Sequence, residues 1–241
     1  MRTAEGAIPA AASAFAWGGA LLFVASLALF AYSYAVTFGP GAGVIAAQSA
    51  IAAMLFDTAL FTVFALHHSI FARERVRAWM ARVVPPSLER TTYVWIASAL
   101  FIGVVLLWQP VPGEAWTLEG GWRWLAILAQ VAGVWLSLHG AAVIGVFELS
   151  GIRHRPADNS PMEFKTAGPY GWMRHPIYTG WFLVVFGAPT MTMTRLVFAV
   201  VSSAYVLVAI PFEERSIRAV SAGAYDAYAE QVRWKLLPGI Y

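Results

Sequence analysis

The chain has 241 residues, of which 59% are hydrophobic and only 12% charged; a soluble domain carries about half apolar and a quarter charged residues, so this composition belongs to a membrane protein. The 16 Lys and Arg exceed the 13 Asp and Glu, but they lie in short segments between apolar runs, where membrane topology rather than nucleic acid accounts for them. The absence of Cys excludes disulfides, Cys-ligated metal and a thiol nucleophile on the protein itself.

Residues 1–12 are small and weakly charged and form a short lead. Residues 15–36 predict a first membrane helix, since roughly 20 apolar residues span a bilayer core. The run is longer than the apolar core of a signal peptide, and Gly39-Pro40-Gly41 ends it. A second helix is expected over residues 51–71, enclosing Asp57 and closing on His67-His68-Ser69. Arg73, Arg75, Arg77 and Arg82 follow on an expected surface helix that stops at Pro85-Pro86. The third span covers residues 92–108, with a turn at Pro110 and Pro112 and Glu114 and Glu119 in the loop. The fourth covers residues 122–147, encloses His139 and meets Glu148. A polar stretch then leads to a fifth apolar segment at residues 177–191, about 22 Å at helical rise and short for a full crossing. A turn at residues 190–194 and a sixth segment at residues 196–212 complete a hairpin. Residues 213–231 predict an amphipathic tail helix, with Ile217, Val220, Ala224 and Tyr228 near one face.

The expected fold class is therefore all-α, a polytopic integral membrane helical bundle. It has about six membrane segments, including the C-terminal hairpin, and a cytoplasmic amphipathic tail helix. A four-helix membrane region over residues 1–147 leads into a site-bearing region over residues 148–241, the two forming one integrated domain. Charge sets the orientation. Residues 71–90 carry five Lys or Arg, residues 148–175 carry four and the chain beyond Phe212 carries four, while residues 37–50 and 109–121 carry none. Basic loops stay in the cytoplasm, which puts both termini there.

One stretch is unlike the rest: Gly168-Pro169-Tyr170-Gly171-Trp172-Met173-Arg174-His175-Pro176-Ile177-Tyr178-Thr179-Gly180. Pro176 suits the first turn of a helix and holds His175 extended. Arg174 and His175 then stand ahead of a helix N-terminus, whose free amides and partial positive charge suit an anionic group. Gly180 permits close approach of another helix or a ligand, and Gly168-Pro169-Tyr170-Gly171 is turn chemistry. Glu213-Glu214 reads in two ways. Acids at a helix start favour the macrodipole, with Glu214 pairing to Arg218. Alternatively, one carboxylate serves a cofactor or pairs with Arg174, which the hairpin brings alongside. Tyr170, Trp172 and Tyr178 offer ring faces to a cation. Asp57, His67, His68 and His139 are ionisable groups within apolar spans, costly there and commonly functional, although a His also serves plain helix–helix hydrogen bonds.

The run from Gly168 to Gly180, with Glu213-Glu214 and Gly223-x-Tyr225-x-x-Tyr228-x-x-x-Val232, resembles the isoprenylcysteine carboxyl methyltransferase and phospholipid methyltransferase superfamily. His68-Ser69-x-x-Ala72-Arg73, Glu89-Arg90-x-Thr92-Tyr93 and Trp108-Gln109 are similar to its bacterial branch containing methanethiol S-methyltransferases. The resemblance implies an integral membrane enzyme of the bacterial inner membrane that uses S-adenosyl-L-methionine. It implies a cofactor pocket drawn from Gly168, Pro169, Tyr170, His175, Pro176, Tyr178, Gly180, Glu213, Glu214, Tyr225 and Tyr228. Arg174 and Glu214 are then the catalytic candidates, and His68 and Glu148 are groups that could assist deprotonation of a thiol. Methyl transfer from a sulfonium is an in-line displacement that needs alignment and exclusion of water, with no metal site and no protein nucleophile. The expected acceptor is small or lipophilic, a thiol first, then a prenylcysteine carboxylate or a lipid. Many isoprenylcysteine enzymes carry an Arg just before the paired Glu, whereas this chain reads Ile210-Pro211-Phe212, which argues against prenylated proteins. The expected partners are that acceptor and membrane lipid, not nucleic acid. The tail from Tyr228 to Tyr241 is also similar to the end of membrane sterol reductases, which bind NADPH, and that is the alternative enzyme reading. A non-catalytic helical bundle is the third.

Overall fold

A computed structural model of the chain describes residues 10–41, 49–71, 76, 79–80, 82–152 and 166–241. The expected surface helix around Arg73, Arg75 and Arg77, and most of the polar stretch after Ile152, lie outside the described residues.

Helix α1 (Ala10–Tyr32) runs on into a π-helical turn, Ser33–Thr37. Helices α2 (Ala50–Ile70), α3 (Pro86–Leu107) and α4 (Gly120–Ile144) follow. Strand β1 (Glu114–Thr117) lies between α3 and α4. Gly145, at φ +120, ends α4 and turns the chain into the short helix α5 (Val146–Leu149). Beyond a 3-10 turn at Gly168–Gly171 come α6 (Pro176–Phe186), β2 (Thr190–Thr192), α7 (Met193–Val220) and α8 (Ala224–Gln231). Among the described residues five helices are long and apolar enough to cross a membrane, and α6 is a shorter apolar helix. The protein is a polytopic, almost purely helical membrane bundle.

The ends of the helices alternate. Strand β1, between α3 and α4, pairs antiparallel with β2, between α6 and α7. At the same end the hydroxyl of Thr192 donates to Phe38 O, just past α1, at 2.5 Å. The end of α2 meets the start of α3 at the opposite end, and the start of α6 meets the last turns of α7 there too. Helix α6 therefore carries the chain from one end to the other in 11 residues, about 16 Å at helical rise.

Two regions need correction here, the fifth segment with the strand that follows it and its partner, and α7 with the tail. The fifth segment is shorter than residues 177–191, because the chain leaves the helix at Gly187 and enters β2. The turn after Pro110 holds a strand rather than plain loop, since Glu114–Thr117 and Thr190–Thr192 satisfy each other's backbone groups by pairing. The second correction concerns α7. It does not stop at Phe212. It continues through Pro211 to Val220, so Glu213 and Glu214 lie inside a helix and not at the start of one. Pro211 removes one helical hydrogen bond, but it sits on an exposed face together with Leu207, whose carbonyl loses that bond. The macrodipole reading of the acid pair falls with this geometry. The tail helix is likewise two pieces, parted by Ala222 (φ 47) and Gly223 (φ 88), and Val220 faces outward.

The core gathers around Phe198, which is fully buried. Its ring contacts Phe30 at 5.3 Å, Trp108 at 5.0 Å and Phe38 at 5.7 Å between centroids. One turn away is Arg195. Its guanidinium donates to Tyr34 O and Ala35 O, both at 2.9 Å, and to Thr190 O at 2.6 Å. Tyr34 and Ala35 belong to the π-helical turn, where the widened backbone offers carbonyls to an outside donor.

Helix α6 is held mainly by α4. The seam is made of small residues: Gly133, Ser137 and Gly140 on one side, Gly180 on the other. Small residues let helix backbones approach closely, which is how packing is gained where lipid removes the hydrophobic drive between helices.

Candidate active site

Pro176 opens α6, and the Arg174-His175 pair stands in front of it. The backbone N–H groups of Arg174 and His175 donate to Trp234 O and Lys235 O, each at 2.9 Å. The Thr179 hydroxyl donates to Leu236 O at 2.9 Å. The C-terminal tail is thus laced to the start of α6. The amides expected to be open to an anion are spent on the tail, and those of Tyr178 and Thr179 both go to His175 O, at 3.1 Å. The amides of Arg174, His175, Tyr178 and Thr179 are therefore paired, two of them by tail carbonyls that no local pattern announces.

The last turns of α7 bring the acid pair to the same place. Arg174 Nε donates to Glu214 Oε1 at 2.9 Å, and Arg174 Nη1 to Val232 O at 3.2 Å. His175 Nε2 lies 3.3 Å from the same Glu214 oxygen. The two side chains of the ion pair keep only 8% and 3% of their surface. Arg174 is committed to protein acceptors and acts as a clamp on Glu214. Arg218 Nη2 approaches Glu214 Oε2 at 3.5 Å from one turn further along.

Glu213 is different. Its side chain keeps 43% of its surface, and its Oε2 accepts from the Tyr178 hydroxyl at 2.8 Å. The Tyr178 ring stacks on His175 at 5.3 Å, nearly parallel. The Glu213 charge acts on Tyr178, Tyr170 and Tyr93 alike. Burial first, then Glu213 and Tyr228, push the Tyr170 phenol well above its usual range. A partly open carboxylate beside the Tyr178 ring is chemistry suited to a cation.

Tyr225 and Tyr228 pack with Val232 behind the Arg174 clamp. The Tyr228 hydroxyl donates to Tyr170 O at 2.9 Å and so fixes the 3-10 turn; burial pushes that phenol up to about 12. Within the turn, Pro169 is buried and Gly168 adopts φ +58 against the His139 ring, where a Cβ would lie 3.3 Å from it. Gly180 faces α4 and serves the helix seam, not the recess. Glu148 sits exposed on α5, and among the described residues no hydrogen bond or ion pair joins it to this cluster.

His68 does reach the neighbourhood, through Tyr93, a residue the sequence marked only as part of a shared motif. The Tyr93 hydroxyl is 2.7 Å from His68 Nδ1. The His68 ring is exposed in the last turn of α2 and rests against Phe64 and Tyr93.

Burial lowers the His175 imidazole below its usual range, against the pull of Glu213 and Glu214 and with a smaller push from Arg174. His175 is therefore neutral at pH 7. The unfolded chain takes up its proton near pH 6.5, whereas the folded chain does not, so folding stability is fully present above that pH and falls as the pH drops below it. The melting temperature in detergent should decline from pH 7.5 to pH 5.5 more steeply in the wild type than in His175→Gln. Equal slopes would remove His175 as the cause.

The phospholipid methyltransferase family matches residues 122–220, the segment from α4 to the end of α7 that contains Arg174, His175, Tyr178 and both Glu. The chain is 36% identical over 191 residues to a methanethiol S-methyltransferase of Crocosphaera subtropica, covering 77% of this chain and 75% of that one. It is 32% identical over 185 residues to methanethiol S-methyltransferase 2 of Bradyrhizobium diazoefficiens, covering 75% and 71%. Nurim of Sus scrofa is 27% identical over 194 residues, covering 73% and 72%. No solved structure matches the chain. The chain belongs to the phospholipid methyltransferase family, as a membrane-embedded methyltransferase that works with a methyl donor.

Proposed function

We propose that the protein is an S-adenosyl-L-methionine-dependent thiol S-methyltransferase of the bacterial inner membrane, with both termini and the site on the cytoplasmic side. The observation that carries the donor is Glu213: a carboxylate left partly open, held by the Tyr178 hydroxyl and beside the His175 ring. The donor is a cation at sulfur, and a carboxylate with aromatic faces suits it. Tyr170, Tyr178 and Glu213 would hold it, while Arg174, His175 and Glu214 keep α6 and α7 in register behind them. Bound there, it supplies an electrophilic methyl group. The chain's part is to align the acceptor with that methyl and exclude water. A thiol acceptor accords with the activity named for the two bacterial relatives. The charges support the cytoplasmic placement, since Arg82, Arg90, Arg174, Arg215, Arg218, Arg233 and Lys235 lie at the end that holds Glu213.

Equilibrium binding to the detergent-purified protein tests the reading. Saturable S-adenosylmethionine binding without NADPH binding supports it, and the reverse would mark a reductase. Methyl transfer to methanethiol should exceed transfer to prenylcysteine or phospholipid. Tyr178→Phe removes the hydrogen bond to Glu213 and should weaken donor binding about 10- to 100-fold, the worth of a hydrogen bond to a charged group. Unchanged affinity would move the donor away from Glu213.

A further inference from the structure

We propose that His68 is the general base of the acceptor half of the site, with Tyr93 as the positioning residue that holds it in its base form. The inference rests on the thiol methyltransferase reading and names the group that makes the thiol reactive.

His68 lies in the last turn of α2, and Tyr93 in the early turns of α3. The Tyr93 oxygen stands 2.7 Å from His68 Nδ1. Tyr93 lies within electrostatic reach of Glu213 and Tyr178, which puts His68 at the same end of the bundle as the donor half of the site. The ring of His67 stacks on Tyr93 at 5.6 Å, and the Arg90 guanidinium lies 5.5 Å from its centroid, so the phenol is held from both sides. Phe64 packs beside His68 at 5.7 Å. The surroundings of His68 are thus mostly aromatic, and an apolar thiol suits them better than a large polar acceptor.

The two ring nitrogens are inequivalent. Nδ1 is committed to Tyr93, and among the described residues nothing bonds Nε2. With Nδ1–H donating to the Tyr93 oxygen, the Tyr93 hydrogen turns toward His68 O, 3.5 Å away. Nε2 then presents a lone pair. The hydrogen bond at one ring nitrogen decides what the other can do.

A thiol reacts as its thiolate. The S–H proton passes to His68 Nε2, and the sulfur keeps the electron pair and forms the new S–CH3 bond. The S–CH3 bond of the donor breaks with its electron pair left on the donor sulfur, which becomes a neutral thioether. The imidazolium releases its proton to water, and Nδ1–H stays on Tyr93 throughout.

The test compares acceptors of different acidity. In His68→Gln, turnover of ethanethiol should fall on the order of 100- to 1,000-fold, the usual worth of a general base. Turnover of thiophenol, which ionises unaided, should fall less than about tenfold, and donor affinity should stay within about twofold. Tyr93→Phe keeps the ring and the packing; it should lower kcat with ethanethiol while leaving KM in place. A readout independent of turnover is the nitrogen resonance of labelled His68. The wild type should show hydrogen on Nδ1 and a bare Nε2, and Tyr93→Phe should lose that preference. Equal losses for both thiols, or a wild-type His68 with its hydrogen on Nε2, would overturn the base. A wild type that binds the donor but methylates no thiol would overturn the thiol reading itself, and the base with it.

Discussion

Glu214→Ala is expected to cost about 3–5 kcal/mol of stability, because it leaves the buried Arg174 guanidinium without its carboxylate. The surroundings give little relief. Arg174 keeps 8% of its surface, its Nη1 is already on Val232 O, and the next charge along α7 is another cation, Arg218. His175 also loses the oxygen that faces its Nε2. The lost oxygen was a shared acceptor for the start of α6 and the end of α7, so the hairpin should loosen where Tyr178 meets Glu213. Donor binding should be lost with the stability. The double variant Arg174→Met with Glu214→Gln should recover part of the loss, since an apolar group of similar length needs no counter-charge. Melting in detergent and donor titration on Arg174→Met and Glu214→Gln singly and on the double variant measure this. If the losses of the two single variants simply add in the double variant, the pair is not a unit.

The helices were legible because they are apolar over lengths that only a bilayer asks for. The limits of α1, α2 and α3 fall close to the apolar runs that predicted them. The Arg174-His175-Pro176 start of α6 was legible for a local reason, the rigid φ of Pro. Its meeting with Glu213 and Glu214 followed from the hairpin. What failed was long-range or ran against a strong local signal. Pro211 argues for a helix end, yet packing carries α7 past it. The pairing of β1 with β2 joins loops far apart in sequence. Trp234 and Lys235 close over the Arg174 and His175 amides through carbonyls, and carbonyls carry no side-chain signature. Tyr93 is one aromatic residue among many until the fold sets it against His68. Arg195 has no other charged residue near it in sequence, and its role depends on a π-helical turn with no pattern of its own.

Gly180 illustrates the same limit, and its replacement by Ala should disable the protein more than its size suggests. The methyl group would lie 2.3 Å from Ser137 Oγ, 2.5 Å from Gly133 O and 3.0 Å from Ser137 N. The hydroxyl can turn away, but the backbone atoms cannot. Relief requires α6 and α4 to separate by about 1 Å, which also opens the contacts of Gly133 and of Gly187 in the same seam. Overpacking of this kind costs roughly 1–3 kcal/mol. The displacement falls on the helix that carries His175 and Tyr178, while Glu213 and Glu214 stay with α7, so donor binding should weaken further than the stability loss alone would predict. Gly103→Ala on α3 is the control, because a methyl group there meets nothing within 4 Å; the better helix propensity of Ala should leave that variant neutral or up to about 1 kcal/mol more stable. A Gly180→Ala protein that melts with Gly103→Ala and binds the donor at wild-type affinity would show that the seam can part freely, and that α6 is positioned by the Arg174–Glu214 clamp and the C-terminal tail alone.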